Sequence, residues 1–275
     1  MKEKVTIKKG SVQETLMLPL YGRYKANQRY PELFRDTTAK KIIDRIDYDI
    51  EQADMGKIPQ IVYGMRQDIV ERTAKRFLAS HPDAIVISIG CGLDTIFDHI
   101  DTGTCRFVNI DFPEVIEFRT TLFEPRNREI NIGLDANNHA WMDMIGYNPG
   151  DDVFVMSCGV LFYFQREDVR NLIDAIGHRF PGAAMCFDYE NAKMLARSNR
   201  SVRKTGNKGA YMPFSMEDGE KEIKAFSDTV ESVSVLRELP PEYSCIPGLY
   251  RWFFNRCLRT GSMTFAEVKF KGGDQ

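Results

Sequence analysis

The chain has 275 residues, a hydrophobic share of 43% and a formal net charge of -2 at pH 7. So even a balance sets up no global field toward nucleic acid or an anionic membrane surface, and no run approaches the roughly 20 apolar residues of a spanning helix. The charged start, Met1–Gly10, lacks the apolar stretch of a secretory signal, and the chain reads as mature. Six cysteines form no CxxC pair and four histidines show no metal-ligand spacing, so neither a disulfide framework nor a metal site is expected. A reducing, cytoplasmic setting follows from that cysteine usage; the oligomeric state stays open.

In chain order, the first 80 residues read as helices. Asp36 caps an Ala39–Ile46 helix, and Gln60–Leu78 is long and amphipathic. Short β-rich runs then recur at Ala84–Ile89, Arg106–Ile110, Ile130–Leu134, Asp152–Ser157 and Ala183–Phe187. Helix-like segments separate several of them, the rhythm of βα units around a parallel sheet buried on both faces. In Glu167–Phe180 the residues Val169, Leu172, Ile173 and Ile176 form one apolar stripe, and Pro181-Gly182 breaks the chain after it. Ser232–Leu239 and Thr264–Phe270, with a helix-like Leu249–Leu258 between them, would complete seven strands and allow an antiparallel last pair. The expectation is one α/β structural domain: a Rossmann-like, seven-stranded, mostly parallel sheet over 81–275, with helices on both faces and a helical N-terminal lid over 1–80.

Ligands of open α/β sheets bind beyond the carboxyl ends of the strands. The first strand runs into Gly90-Cys91-Gly92-Leu93-Asp94-Thr95, where two glycines let a ligand approach the backbone, although many tight turns carry a GxG. Asp111 ends the second strand 21 residues after Gly90, the spacing at which an acid reaches ribose hydroxyls. Its blander role is to cap the Pro113–Arg119 helix. Asp135, with Ala136 after it, ends the third strand and is placed to accept from an adenine amine; with Asn137 and Asn138 following, a plain turn is the alternative. Thr95 stands where the dinucleotide fingerprint has its third glycine, and nothing cradles a pyrophosphate. A ligand with ribose and adenine but no phosphates, S-adenosylmethionine, fits better than NAD.

These segments are similar to the leucine carboxyl methyltransferase-like family, in its bacterial branch related to polyketide O-methyltransferases. Glu14–Arg23, Phe34-Arg35-Asp36 and Ile46–Asp49 resemble the branch's N-terminal motifs, and Gly90–Thr95 its cofactor loop. Asp111-Phe112-Pro113-Glu114-Val115 resembles its ribose motif, and Ser157–Tyr163 its fourth-strand motif. The resemblance implies a class I methyltransferase fold and an S-adenosylmethionine site at Arg66, Gly90, Cys91, Gly92, Asp111, Phe112, Asp135, Ala136 and Cys158. In it Arg66, early in the helix before the first strand, would grip the cofactor carboxylate in bidentate fashion. The bland reading of Arg66 is a solvated charge near Asp68 and Glu71. Two residues depart from the pattern: Cys158 replaces a common Glu, and Ile96 a common Arg.

Methyl transfer from a sulfonium needs alignment and desolvation more than activation. A carboxylate acceptor is already ionised at neutral pH, whereas a phenol benefits from a base. No histidine is obviously placed to serve, His139 being the nearest, and this leans toward a carboxylate. Tyr21, Arg23, Tyr24 and Arg29 of the lid, and Tyr163, are candidates for acceptor contact, with lid packing the alternative for the tyrosines. Lys193, Arg197, Arg200 and Lys204 would form one stripe on a Glu190–Lys204 helix, with Arg203 and Lys208 nearby, for an acidic acceptor or as a solvated face. The expected function is O-methylation of a carboxylate or hydroxyl on a small molecule, with no nucleic-acid or membrane partner. Esterification of a protein C-terminus and non-catalytic cofactor binding are the alternatives.

Overall fold

The computed structural model describes residues 4–7, 12–204 and 211–273. Seven strands form the main sheet: β1 (Ile85–Ile89), β2 (Arg106–Asp111), β3 (Glu129–Gly133), β4 (Val153–Ser157), β5 (Ala184–Glu190), β6 (Val230–Val235) and β7 (Met263–Phe270). Their order across the sheet is β3-β2-β1-β4-β5-β7-β6. The first five pair in parallel, and β7 inserts antiparallel between β5 and β6. The order reverses between β1 and β4, which opens a crevice at their carboxyl ends. All five residues of β1 and of β4 are buried, as a strand covered on both faces requires.

The main helices are α1 (Met17–Arg29), α2 (Thr38–Ile43), α3 (Lys57–Leu78), α4 (Pro113–Leu122), α5 (Arg166–Arg179), α6 (Ala192–Lys204), α7 (Gly219–Lys224) and α8 (Gly248–Arg259). The α5 stripe of Val169, Leu172, Ile173 and Ile176 is fully buried against Val155, Met185 and Phe187. On the opposite face, Val70, Ala74 and Leu78 of α3 pack over Val86, Phe154 and Met156. Asp36, one residue before the N-cap Thr37, accepts from Ala39 N–H at 2.9 Å in the first turn of α2. The helix is shorter than expected, however, because Ile46–Asp47 leaves it to pair in parallel with Val5–Thr6.

The N-terminal helices pack onto the sheet's helical layer rather than standing apart. Ala26, Phe34, Ile61 and Met65 share a core with Tyr243, Phe254, Leu258 and Phe265. Helices α1 and α3 meet at Gly22, where a Cβ would lie 2.3 Å from the Tyr63 ring. That close crossing fixes which side of α1 faces the crevice.

Candidate active site

At the end of β1 the chain turns at Gly90, whose φ of 67° is left-handed and whose missing Cβ would lie 2.3 Å from Val160. The N–H groups of Gly90 and Cys91 both donate to Ile110 O, at 2.8 and 3.2 Å, tying the loop to the end of β2. Asp111 is tied in as well: its Oδ2 accepts from Gly92 N–H and its Oδ1 from Phe112 N–H, both at 2.8 Å. Burial raises the Asp111 carboxyl above the ordinary aspartate range, although both N–H donors oppose the shift. Beneath the loop, the buried guanidinium of Arg119 donates to Gly92 O (3.1 Å) and Asp94 O (2.9 Å) and pairs with Glu129 at 3.1 Å. Asp94 in turn accepts from Ser88 Oγ at 2.8 Å. The glycine loop is therefore braced from below by a buried cation, leaving its upper edge to the cavity.

Arg66 lies near the middle of α3, not early in it. Its Nε donates to Asp188 Oδ2 at 2.7 Å, and Asp188 Oδ1 accepts from Gly159 N–H at 2.7 Å. Burial opposes the Arg66 charge, but the neighbouring Asp188 carboxylate outweighs it and holds the guanidinium firmly protonated. Among the described residues its two Nη groups have no hydrogen-bond partner and lie against the Tyr63 and Phe162 rings. Cys158 borders the same space; burial pushes its thiol well up, so it stays neutral where a glutamate would bring a charge.

The glycine loop, Asp111, Arg66 and Cys158 line one cavity of about 960 Å³, near the upper end of the roughly 300–1,000 Å³ usual for small-molecule sites. At one end stand Gly90, Cys91, Gly92, Asp111, Phe112 and Asp135. At the other, Met194, Met212, Phe253 and Phe254 make an apolar chamber with Tyr163 and Glu190 on its wall. Phe112 is 46% and Tyr163 45% exposed, large apolar surfaces left for a ligand to cover. Gln67 adds a buried Oε1 with no partner among the described residues, its Nε2 being bonded to Thr95.

Most of the expected site residues meet here, and four do not: Ala136, Tyr21, Tyr24 and Arg29. Ala136 is turned into the sheet core, where only its carbonyl is engaged, by Trp141 Nε1 at 3.1 Å. Tyr21 is fully buried and bonded to Glu51, and Tyr24 accepts from Gln28 Nε2. On α1 the cavity-facing side carries Pro19 and Arg23, with Leu16 just before the helix, and the two tyrosines lie off that line. Arg23 reaches the cavity but is engaged by Asp36 at 2.9 Å and Leu93 O at 2.7 Å. Arg29 donates to Gln60 instead. Of the basic stripe, Arg197 alone borders the cavity; Lys208 and the Lys204 side chain lie outside the described residues. The residues missed from sequence are Asp188 and Glu190, Gln67, Arg119 and the α8 phenylalanines. Asp188-Tyr189-Glu190 did carry a signal: two acids with strand spacing at a strand end.

The sheet order, the antiparallel seventh strand and a cavity of this make-up at the strand ends define a class I methyltransferase that uses S-adenosylmethionine. The sequence profile described as leucine carboxyl methyltransferase matches residues 19–177. The tetracenomycin polyketide synthesis O-methyltransferase TcmP of Streptomyces glaucescens is 30% identical over 184 residues, 66% of this chain and 67% of that protein. The chain belongs to the leucine carboxyl methyltransferase family and is an S-adenosylmethionine-dependent methyltransferase similar to the bacterial polyketide O-methyltransferase TcmP. Solved structures agree on the fold. A DUF574-family protein from Streptomyces avermitilis MA-4680 superposes with a TM-score of 0.59 at 12% identity, covering 85% of this chain and 90% of that one. The plantazolicin methyltransferase BamL, solved with SAH and a triazolic desmethylPZN analog, gives 0.50 at 13% identity, covering 94% and 99%.

Proposed function

We propose that the chain transfers a methyl group from S-adenosylmethionine to an oxygen of a small, largely planar aromatic molecule of polyketide type. The observation that carries this reading is the continuity of one cavity from Asp111 to Phe253, polar and loop-lined at one end and apolar at the other. Bound S-adenosylmethionine supplies a methyl group on a positively charged sulfur, an electrophile that needs no further activation. Asp111 would accept from the ribose hydroxyls and Asp135 from the adenine amine, with Phe112 covering the base. The free Nη groups of Arg66 suit the cofactor carboxylate. Gly90, Cys91, Gly92 and Cys158 form the walls, with Cys158 uncharged. Residues 1–80 act as the lid over 81–275: Leu16, Pro19, Met55, Ile58 and Tyr63 close the chamber and exclude water from the reacting oxygen.

The kinship to TcmP, an enzyme of polyketide synthesis by its name, supports an acceptor of polyketide type. No helix among the described residues is long and apolar enough to cross a membrane, and the six cysteines are all unpaired. The unpaired cysteines suit a reducing, cytoplasmic setting. Calorimetric titration with S-adenosylhomocysteine tests the cofactor half. Micromolar binding, on the order of -8 kcal/mol, is expected for the wild type, with Asp111→Ala and Arg66→Ala each weakening it at least about tenfold. Absence of wild-type binding at millimolar ligand would overturn the reading.

A further inference from the structure

Asp188 lies near the end of β5, is 1% exposed and does not itself line the cavity. Its two oxygens go to two other elements. Oδ2 accepts from Arg66 Nε of α3, and Oδ1 from Gly159 N–H in the turn after β4, both at 2.7 Å. A carboxylate this deeply buried needs such partners, because nothing else offsets its lost hydration. Asp188 therefore ties a helix of the N-terminal region to two neighbouring strands of the sheet, at the place where Arg66 enters the cavity.

Several neighbours fix how the Arg66 guanidinium lies. Asp188 holds its Nε, and the Tyr63 and Phe162 rings lie against it with centroids 5.6 and 5.4 Å away. Gly159, at a left-handed φ of 74°, lets the backbone come so near that a Cβ would stand 3.3 Å from Nη1. What remains open is the pair of Nη groups, on a residue that borders the cavity. An arginine free of Asp188 would have a competing partner in Glu190, two residues on along the same strand face. Burial raises the Glu190 carboxyl while Ser198 and the Arg66 charge oppose, so the guanidinium is within its electrostatic reach. Glu190 stands on the chamber wall, and a guanidinium drawn to it would leave the cofactor end.

We propose that Asp188 is a positioning residue for the cofactor: by holding Nε it presents the Nη edge of Arg66 to the cavity, where it selects the ligand's amino-acid carboxylate. The inference rests on the methyltransferase reading above and deepens its cofactor half. Asp188 touches no ligand and acts only through Arg66. Its effect is preorganisation: the long arginine side chain is immobilised before the cofactor arrives, so binding does not bear that entropy cost. The role also demands arginine in particular. A guanidinium can bond Asp188 through Nε and a carboxylate through both Nη groups at once, whereas a lysine ammonium is a point charge without that fork. Charge alone would work the other way. Removing the Asp188 carboxylate leaves Arg66 a bare cation, and attraction for an anion would rise if orientation did not matter.

The test compares two ligands by calorimetry: S-adenosylhomocysteine, and its decarboxylated analogue, which keeps adenosine, sulfur and ammonium and lacks only the carboxylate. Wild type should prefer the first by roughly 10- to 100-fold, the range of a charge-assisted contact. In Asp188→Asn that ratio should shrink at least about fivefold, through weaker binding of S-adenosylhomocysteine with the analogue little changed. A merely structural role would weaken both ligands alike and leave the ratio where it was. Arg66→Ala should abolish the preference, and adding Asp188→Asn to it should change the ratio no further. Arg66→Lys keeps the charge without the fork and should also lose most of the preference, which keeps the test decisive if Asp188→Asn does not fold. An unchanged ratio or tighter S-adenosylhomocysteine binding in Asp188→Asn would overturn the proposal. So would a wild-type ratio near one, or a full preference retained by Arg66→Lys. Failure of the wild type to bind S-adenosylhomocysteine at all sinks the methyltransferase reading instead.

Discussion

The two ends of the cavity are built in opposite ways. The proposed cofactor end comes mainly from consecutive strand ends within residues 88–137, with Arg66 and Cys158 beside them, and the polar groups of its loop are bonded to one another: Gly92 to Asp111, Ser88 to Asp94, Arg119 to the loop carbonyls. The acceptor chamber draws on α3, the turn after β4, α6, the segment around Met212 and α8, and it is walled mainly by Met, Phe and Val side chains. One end is a short polar lattice whose geometry is set by the backbone; the other is a packing of distant helices whose shape follows side-chain volume. Changes at the first should cost stability and cofactor together. At the second they should alter acceptor binding with little else.

Arg119 makes the sharpest test of that division and carries the largest expected effect. It is 2% exposed, pairs with the equally buried Glu129, and never touches the cavity. Arg119→Met leaves Glu129 with only the more distant Arg126 (3.7 Å) and the Asn109 hydrogen bond, and takes from the carbonyls of Gly92 and Asp94 their Arg119 donor. Removing one partner of such a buried pair costs about 3–5 kcal/mol. Chemical denaturation should report that loss, and S-adenosylhomocysteine affinity should fall with it because the loop is no longer braced. If stability falls while affinity survives, the cofactor end is held by its glycine turns alone.

The same contrast explains what could be read from sequence. Seven strands, their carboxyl ends and the Gly90–Asp111 spacing were legible because each is local: a run of alternating or apolar residues and a motif at its end. Ala136, Tyr21 and Tyr24 were misplaced because sequence proximity to a motif does not give the direction of a side chain. Tyr21 faces Glu51 only because α1 crosses α3 at Gly22, a contact between residues 41 apart in sequence (Gly22 to Tyr63). The α8 phenylalanines could not be assigned to the site at all, since nothing in Leu249–Leu258 says which helix face meets the crevice. Asp188 and Glu190 could have been found by carrying the inspection of strand ends one strand further.

Phe253 sharpens the chamber side. It is half-buried in α8 and borders the cavity, so truncation removes acceptor contact without opening the main core. Phe253→Ala should weaken binding of 2-naphthoate, a planar aromatic probe, to the S-adenosylhomocysteine-loaded protein about tenfold, near 1.4 kcal/mol. The affinity for S-adenosylhomocysteine itself should not move. An equal loss for both ligands would mean that the two ends are not energetically separate.

The smallest effect is expected where the two ends are joined. His99, in the single turn after the glycine loop, bonds through Nδ1 to Glu71 of α3 at 2.8 Å, pinning the helix that carries Arg66 and Gln67. The hydrogen bond to Glu71 raises the His99 pKa above its ordinary 6.5, with burial opposing. Burial alone would raise the Glu71 carboxyl, but His99 and Lys75 together bring it below its ordinary 4.5. A raised histidine stabilises the fold below its unfolded pKa, and that contribution is lost as pH rises through the folded value. A depressed carboxyl does so above its unfolded pKa, and the contribution is lost as pH falls through the folded one. The pair is therefore worth most between 4.5 and 6.5, where both partners are charged when folded. Urea denaturation of wild type and His99→Gln should differ by no more than about 1 kcal/mol near pH 5.5. The gap should close as pH rises past the folded His99 pKa, while S-adenosylhomocysteine affinity stays within about twofold. A gap that does not change with pH would assign the effect to packing rather than to the ion pair. A marked loss of affinity would show that the pin between helix and loop governs the cofactor site more than the loop's own hydrogen bonds do.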